Sequence, residues 1–166
     1  MKPTEAAFLV SILDYTTLQG TDTEDSVRRH CYRIVELKSR HPERTLPAAV
    51  CVFPVFVPIA REILKGSGVR VATVAGNFPA GQLPLSLKMK EVEYALEQGA
   101  EEIDFVSSRR FILENRYEEF GEEICAAAKL CGPVPLKVIL ETGELSDEVL
   151  IKRAANLAIK AGASFL

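Results

Sequence analysis

Short apolar runs alternate along this chain with longer stretches whose apolar residues recur at helical spacing. The runs of strand length are Ile12 to Tyr15, Ala48 to Phe53, Val69 to Ala75, Glu102 to Val106 and Leu136 to Leu140. Between them the spacing predicts helices. A short one covers Glu5 to Ser11 with Thr4 as its cap. A second, capped by Thr23, runs to Ser39 and aligns Val27, Cys31, Ile34, Val35 and Lys38. A third runs from Val57 to Lys65 and stops at Gly66; a fourth runs from Leu85 to Gln98 before Gly99. A fifth covers Glu114 to Leu130 with Tyr117, Phe120, Ile124 and Ala127 on one face. The last is capped by Ser146, turns Leu150, Ala154, Leu157, Ala158 and Ala161 inward, and ends at Gly162. Ala163 to Leu166 then opens a sixth strand.

This βα succession predicts an α/β fold with a parallel sheet, in a single domain over residues 1–166. A strand begins about every 30 residues, and eight such units would need about 250 residues, the usual size of a (β/α)8 TIM barrel. The chain would then supply strands one to five of a barrel and the start of strand six. A complete doubly wound sheet serving as a binding module fits the same pattern and length.

The 166 residues are 48% hydrophobic and 26% charged, with a formal net charge of −3, so nothing draws the chain to nucleic acid or to an anionic membrane. No apolar run reaches the about 20 residues of a membrane span, and the first residues lack a signal-peptide pattern. Cys31, Cys51, Cys125 and Cys131 form no Cys-x-x-Cys pair and read as free thiols of a reducing cytoplasm. His30 and His41 read as surface residues outside any metal-ligand cluster, so no metal is expected. No glycine-rich loop follows the first strand, so no dinucleotide cofactor is expected either. Arg109-Arg110 reads as a solvated pair in an exposed loop.

Chemistry belongs at the C-terminal ends of parallel strands. Lys137 lies inside an apolar strand, where an ammonium must be paired, wet or deprotonated. Asp104, flanked by Ile103 and Phe105, points to the opposite face from those two residues. A carboxylate and an ammonium on adjacent strands make a candidate acid/base couple. A buried ion pair that only fixes strand register is the competing reading.

These residues stand in a wider set: Leu13-Asp14-Tyr15-Thr16-Thr17-Leu18, Cys51-Val52-Phe53-Pro54-Val55-Phe56-Val57-Pro58, Ala72-Thr73-Val74 through Asn77-Phe78-Pro79, Glu102-Ile103-Asp104, Leu136 to Leu145, and Ile159 to Leu166. Together they resemble the deoxyribose-phosphate aldolases, over nearly the whole chain. The resemblance implies a TIM barrel and reversible cleavage of 2-deoxyribose 5-phosphate to glyceraldehyde 3-phosphate and acetaldehyde. It implies a lysine Schiff base whose iminium is the electron sink, without metal or cofactor. It makes Asp104 the proton donor and acceptor, and Lys137 a supporting lysine. It sets Asp14, Thr16, Thr17 and Cys51 around the substrate pocket. The partner it implies is a small sugar phosphate, and a homodimer fits the family's habit.

In the family the Schiff-base lysine directly follows the segment matching Ala163 to Leu166, one residue past the last one here. The 166 residues alone are therefore expected to be inactive, either as a fragment or as a stretch ended by a modified lysine. A fragment standing as the whole protein would expose strand edges and is expected to self-associate or to bind a complementing half.

Overall fold

A computed structural model describes residues 3–145 and 147–166. They fall into two compact units: residues 3–73 with 98–101, and residues 74–97 with 102–145 and 147–166.

In the first unit, α1 (Pro3–Ser11) leads to β1 (Asp14–Thr16), α2 (Glu24–Arg40), β2 (Ala49–Val52), a short 3-10 turn at Pro54–Phe56 and α3 (Val57–Leu64). β3 (Arg70–Ala75) begins here and ends in the second unit. Helix α1 starts at Pro3, so Thr4 lies inside it rather than capping it. The Thr23 cap is a full capping box: the Thr23 hydroxyl accepts from the Ser26 N–H, and the Ser26 hydroxyl accepts from the Thr23 N–H. Both faces of β2 are covered, and all four of its residues are buried, as a central parallel strand requires. Val27, Cys31 and Ile34 of α2 and Val57, Ala60 and Leu64 of α3 complete this core. Each large aliphatic side chain sealed there contributes about 1.5–3 kcal/mol. Lys38 does not join them. It is exposed, because its ammonium donates at 2.8 Å to the carbonyls of Gly66 and Ser67, left open beyond the end of α3.

The second unit holds α4 (Leu85–Glu97), β4 (Glu102–Val106), α5 (Arg109–Leu113), α6 (Tyr117–Cys131), β5 (Leu136–Ile139) and α7 (Glu148–Ala161). Ile103, Phe105 and Leu136 are fully buried with Phe120 and Ile124 of α6 and Ala158 of α7. The cap of α7 is Asp147, whose carboxylate accepts from the Val149 N–H at 2.8 Å. Ser146, the expected cap, lies outside the described residues. Gly162 closes α7 in the left-handed region, at φ 109°.

Two further expectations are corrected. Arg109 and Arg110 open a helix instead of lying in a loop, and Arg109 is buried. Its guanidinium donates to the carbonyls of Pro79 and Ala80 and pairs with Glu144 at 2.6 Å. His30 is half-buried instead of superficial: its ring stacks on Tyr15 with centroids 3.8 Å apart, and its Nε2 meets the Tyr15 carbonyl at 3.1 Å.

The strands stand in sequence order, β1-β2-β3-β4-β5. The pairs β1/β2, β2/β3 and β4/β5 are parallel. Past α7, the N–H groups of Ser164 and Phe165 donate to the Leu136 carbonyl, and the Val138 N–H donates to the Phe165 carbonyl. Phe165 thereby starts a parallel sixth strand on the free side of β5. A doubly wound sheet reverses its strand order at a switch point, so the sequential order excludes that alternative. The fold is that of a (β/α)8 barrel, represented by strands one to five and the start of the sixth.

Candidate functional site

The richest chemistry lies on β4 and β5 of the second unit. Asp104 and Lys137 are register partners, so their side chains leave the sheet side by side on one face. Lys137 Nζ lies 3.0 Å from Asp104 Oδ1 and 2.9 Å from Glu102 Oε2. Glu102 comes two residues before Asp104 and therefore shares its face, one pleat further from the C-terminal end of the strand. The three side chains are mostly shielded: 7% of Glu102, 15% of Asp104 and 15% of Lys137 is exposed. One ammonium thus holds two carboxylates where water is scarce, and their attraction is stronger there than at a surface.

Glu102 is the member that the sequence reading passes over. Its signal is nonetheless present: Glu102-Ile103-Asp104 places two carboxylates two residues apart on a strand, hence on one face.

A second buried cluster stands behind the C-terminal end of β4. Lys88 of α4 is wholly buried, and its Nζ lies 2.9 Å from Glu123 Oε1 of α6. The same ammonium donates to the Ser108 hydroxyl at 2.8 Å and to the Val106 carbonyl at 3.1 Å. Glu123 also accepts from the Ser108 N–H at 2.7 Å and lies 2.8 Å from its hydroxyl oxygen. Burial pushes the Lys88 ammonium below the usual lysine range, and the neighbouring Glu123 carboxylate opposes that fall. Gly76, at the turn out of β3, has no room for a side chain: a Cβ there would lie 2.6 Å from the Val106 carbonyl oxygen. Its φ of 82° also favours glycine.

The other four residues singled out by sequence lie in the first unit. Thr16 pairs in register with Cys51, and Asp14 with Ala49 two positions earlier, so Asp14, Thr16 and Cys51 share a face. The Thr17 N–H donates to the Cys51 carbonyl at 3.0 Å. Cys51 is buried, Asp14 and Thr17 are half-buried, and Thr16 is exposed. The Thr16 hydroxyl donates to the Asp14 carbonyl, and the Thr17 hydroxyl donates to Asp22 at 2.8 Å. Asp22 also accepts from the Gln19 N–H and the Ser26 hydroxyl. Partial burial works against its charge, yet the Thr17, Gln19 and Ser26 bonds hold its carboxyl below the usual range. Among the described residues no three His, Cys, Asp or Glu side chains are grouped so as to hold a metal ion. No helix among them is long and apolar enough to cross a membrane.

Known proteins share this pattern. The family of DeoC/LacD aldolases matches residues 12–166. Human deoxyribose-phosphate aldolase is 38% identical over 178 residues, which cover 99% of this chain and 56% of the human protein. The deoxyribose-phosphate aldolase of Agrobacterium fabrum is 42% identical over 168 residues, covering 99% of this chain and 62% of its own. Among solved structures, the tetrameric deoxyribose phosphate aldolase of Aeropyrum pernix superposes with a TM-score of 0.79 at 28% identity. That match covers 95% of this chain and 62% of the other. The chain thus spans 56% and 62% of the lengths of these two curated relatives. With a family match that runs from residue 12 to residue 166, the chain belongs to the DeoC/LacD family of aldolases.

Proposed function

We propose that this chain carries the acid/base pair of a Schiff-base aldolase that reversibly cleaves 2-deoxyribose 5-phosphate to glyceraldehyde 3-phosphate and acetaldehyde. The observation that carries the reading is the register pairing of Asp104 with Lys137 on neighbouring strands of a DeoC/LacD chain. In such a reaction a neutral lysine amine adds to the substrate carbonyl carbon and water leaves. The iminium so formed receives the electron pair released when the carbon–carbon bond breaks. The hydroxyl next to that bond gives up its proton as it becomes a carbonyl, and a carboxylate at hydrogen-bond reach accepts it. Asp104 is that acceptor and later the donor. Lys137 keeps Asp104 oriented and supplies positive charge beside it. Asp14, Thr16, Thr17 and Cys51 line the substrate pocket. In the aldolases that this chain resembles, the Schiff-base lysine directly follows the segment matching residues 163–166. The intact enzyme is a dimer of the cytoplasm, in keeping with four free thiols.

Trapping with acetaldehyde and borohydride, read by peptide mass spectrometry, tests the proposal. The full-length protein gains a reduced adduct on a lysine, and its Asp104→Asn variant loses cleavage by at least about a hundredfold, the usual worth of a positioned acid/base group. Full-length protein with no adduct on any lysine, or Asp104→Asn at full activity, refutes it.

A further inference from the structure

We propose that Glu102 is a positioning residue that holds Lys137 as a cation whatever the state of Asp104, leaving Asp104 free to gain and lose a proton. This rests on the acid/base reading of Asp104 and adds a third member to that pair.

Two carboxylates face one ammonium, at 2.9 and 3.0 Å, so the cluster carries a net negative charge when all three are ionised. With Asp104 as the only carboxylate on β4 beside Lys137, each charge would lock the other, and a proton reaching Asp104 would take from the ammonium its ionic partner on that strand. With Glu102 present, a proton on Asp104 leaves a neutral Glu102–Lys137 pair intact. The geometry separates the two carboxylates in the way this division needs. Glu102 is the more deeply buried, and its pairing with Lys137 is the better insulated. Asp104 stands one pleat nearer the C-terminal end of β4, the end at which barrel enzymes work. On the other side of β5, Ser164 and Phe165 bring no ionisable side chain. Both carboxylates that face Lys137 at these distances come from β4.

The division has a chemical consequence. A lysine forms a Schiff base only as the neutral amine. Lys137 sits in the site and bears an amine, and Glu102 denies it that form. The arrangement separates a lysine that supports from one that attacks.

The test needs no aldolase activity, so it can fail separately from the proposed function. The 166-residue chain and its variants are acylated with a trace of acetic anhydride across the alkaline range, and each lysine's labelling is read by peptide mass spectrometry. In Glu102→Gln the apparent pKa of Lys137 falls by about one unit, the effect expected on losing the better insulated of its two opposite charges, so Lys137 is labelled about tenfold faster at fixed pH. Asp104→Asn leaves Lys137 labelling within about threefold of the parent, and Glu102→Asp restores most of the protection. Lys88, wholly buried in its own ion pair, is the internal control: it stays unlabelled wherever the fold is intact. Equal labelling of Lys137 in parent and Glu102→Gln overturns the proposal. So does an Asp104→Asn effect as large as that of Glu102→Gln. Should Glu102→Gln also expose Lys88, Asp104→Asn decides alone: Lys137 labelling within about threefold of the parent supports the proposal, and labelling about tenfold faster overturns it.

Discussion

Removing Lys88 should unsettle the second unit more than almost any other single change. The side chain is wholly out of water and makes three polar contacts: Glu123 at 2.9 Å, the Ser108 hydroxyl at 2.8 Å and the Val106 carbonyl at 3.1 Å. Breaking a buried pair by deleting one partner costs about 3–5 kcal/mol, because it leaves the other charge shielded and alone. Lys88→Met belongs near the low end, about 3 kcal/mol. Glu123 keeps the Ser108 N–H at 2.7 Å, which still compensates part of its charge. Glu123→Gln belongs near the high end, about 5 kcal/mol. It leaves an ammonium whose remaining partners are a hydroxyl and a carbonyl, both neutral. The double variant has no buried charge in this cluster, and the new amide oxygen would still accept from Ser108. It should therefore cost less than the sum of the singles by about 2 kcal/mol or more. Against a total stability of about 5–15 kcal/mol, these are large fractions. Urea unfolding followed by far-ultraviolet circular dichroism measures them, provided the m-value holds constant across the set. The pH dependence supplies a second check. The Lys88 pKa is lowered in the fold from its ordinary 10.5, so the unfolded chain binds the extra proton between those two values. Stability from this group should then rise with pH across that window, a slope that Lys88→Met abolishes. Single variants costing under about 1 kcal/mol, or strictly additive ones, would refute the reasoning.

The thiols make a further prediction. Burial pushes Cys31 and Cys131 from 9.0 up to about 11, so both stay protonated in the fold while the unfolded chain ionises. The folded chain then holds more protons across that interval, and stability should fall by about 2–3 kcal/mol per thiol as pH rises through it. Cys31→Ala with Cys131→Ala should flatten the alkaline slope; an unchanged slope counts against it. For His30, burial lowers the pKa below 6.5, and the bond to the Tyr15 carbonyl only partly offsets this. Its ring carbons should titrate in NMR spectra with a midpoint under 6.5. Stability from this group should be lost as pH falls from 6.5 through that midpoint, and a midpoint at or above 6.5 would be inconsistent. Gly76→Ala must force a Cβ against the Val106 carbonyl in a left-handed backbone. The expected loss is about 2 kcal/mol or more, which differential scanning calorimetry reads as a fall of about 4–8 °C in Tm. An unshifted Tm would mean that β4 yields more easily than its packing suggests.

Strands and long helices are legible in the sequence because their signals are periodic and summed over many residues. β4 is legible to the residue, Glu102 to Val106, because apolar Ile103, Phe105 and Val106 surround a single central carboxylate. Helix α5 is not, since its five residues open with two arginines and make barely one turn. Arg109 reads as solvated because sequence does not reveal that the carbonyls of Pro79 and Ala80, about thirty residues earlier, face it. Lys88 is hidden for a similar reason. It stands among Lys90 and Glu91 on a helix of weak apolar patterning, and only the fold brings Glu123 and Ser108 to it. The Asp104–Lys137 pair is legible because each is flanked by apolar residues, Ile103 and Phe105 on one strand and Leu136 and Val138 on the other, where a charge is conspicuous. Glu102 is not, because a carboxylate at the first position of a strand looks like its exposed edge.

Arg109 also constrains how this sequence can change. One guanidinium gathers two carbonyls from the turn after β3 and a carboxylate from the turn after β5, while its own backbone begins the helix after β4. Three successive connections are thereby measured against one another. Lengthening the turn after β3 or the turn after β5 would withdraw its oxygens from the guanidinium, and lengthening the one after β4 would move the arginine itself, so these loops cannot drift in length independently. Insertions that enlarge or reshape the mouth of this unit should be tolerated only as coordinated sets, or only once the arginine has been given up.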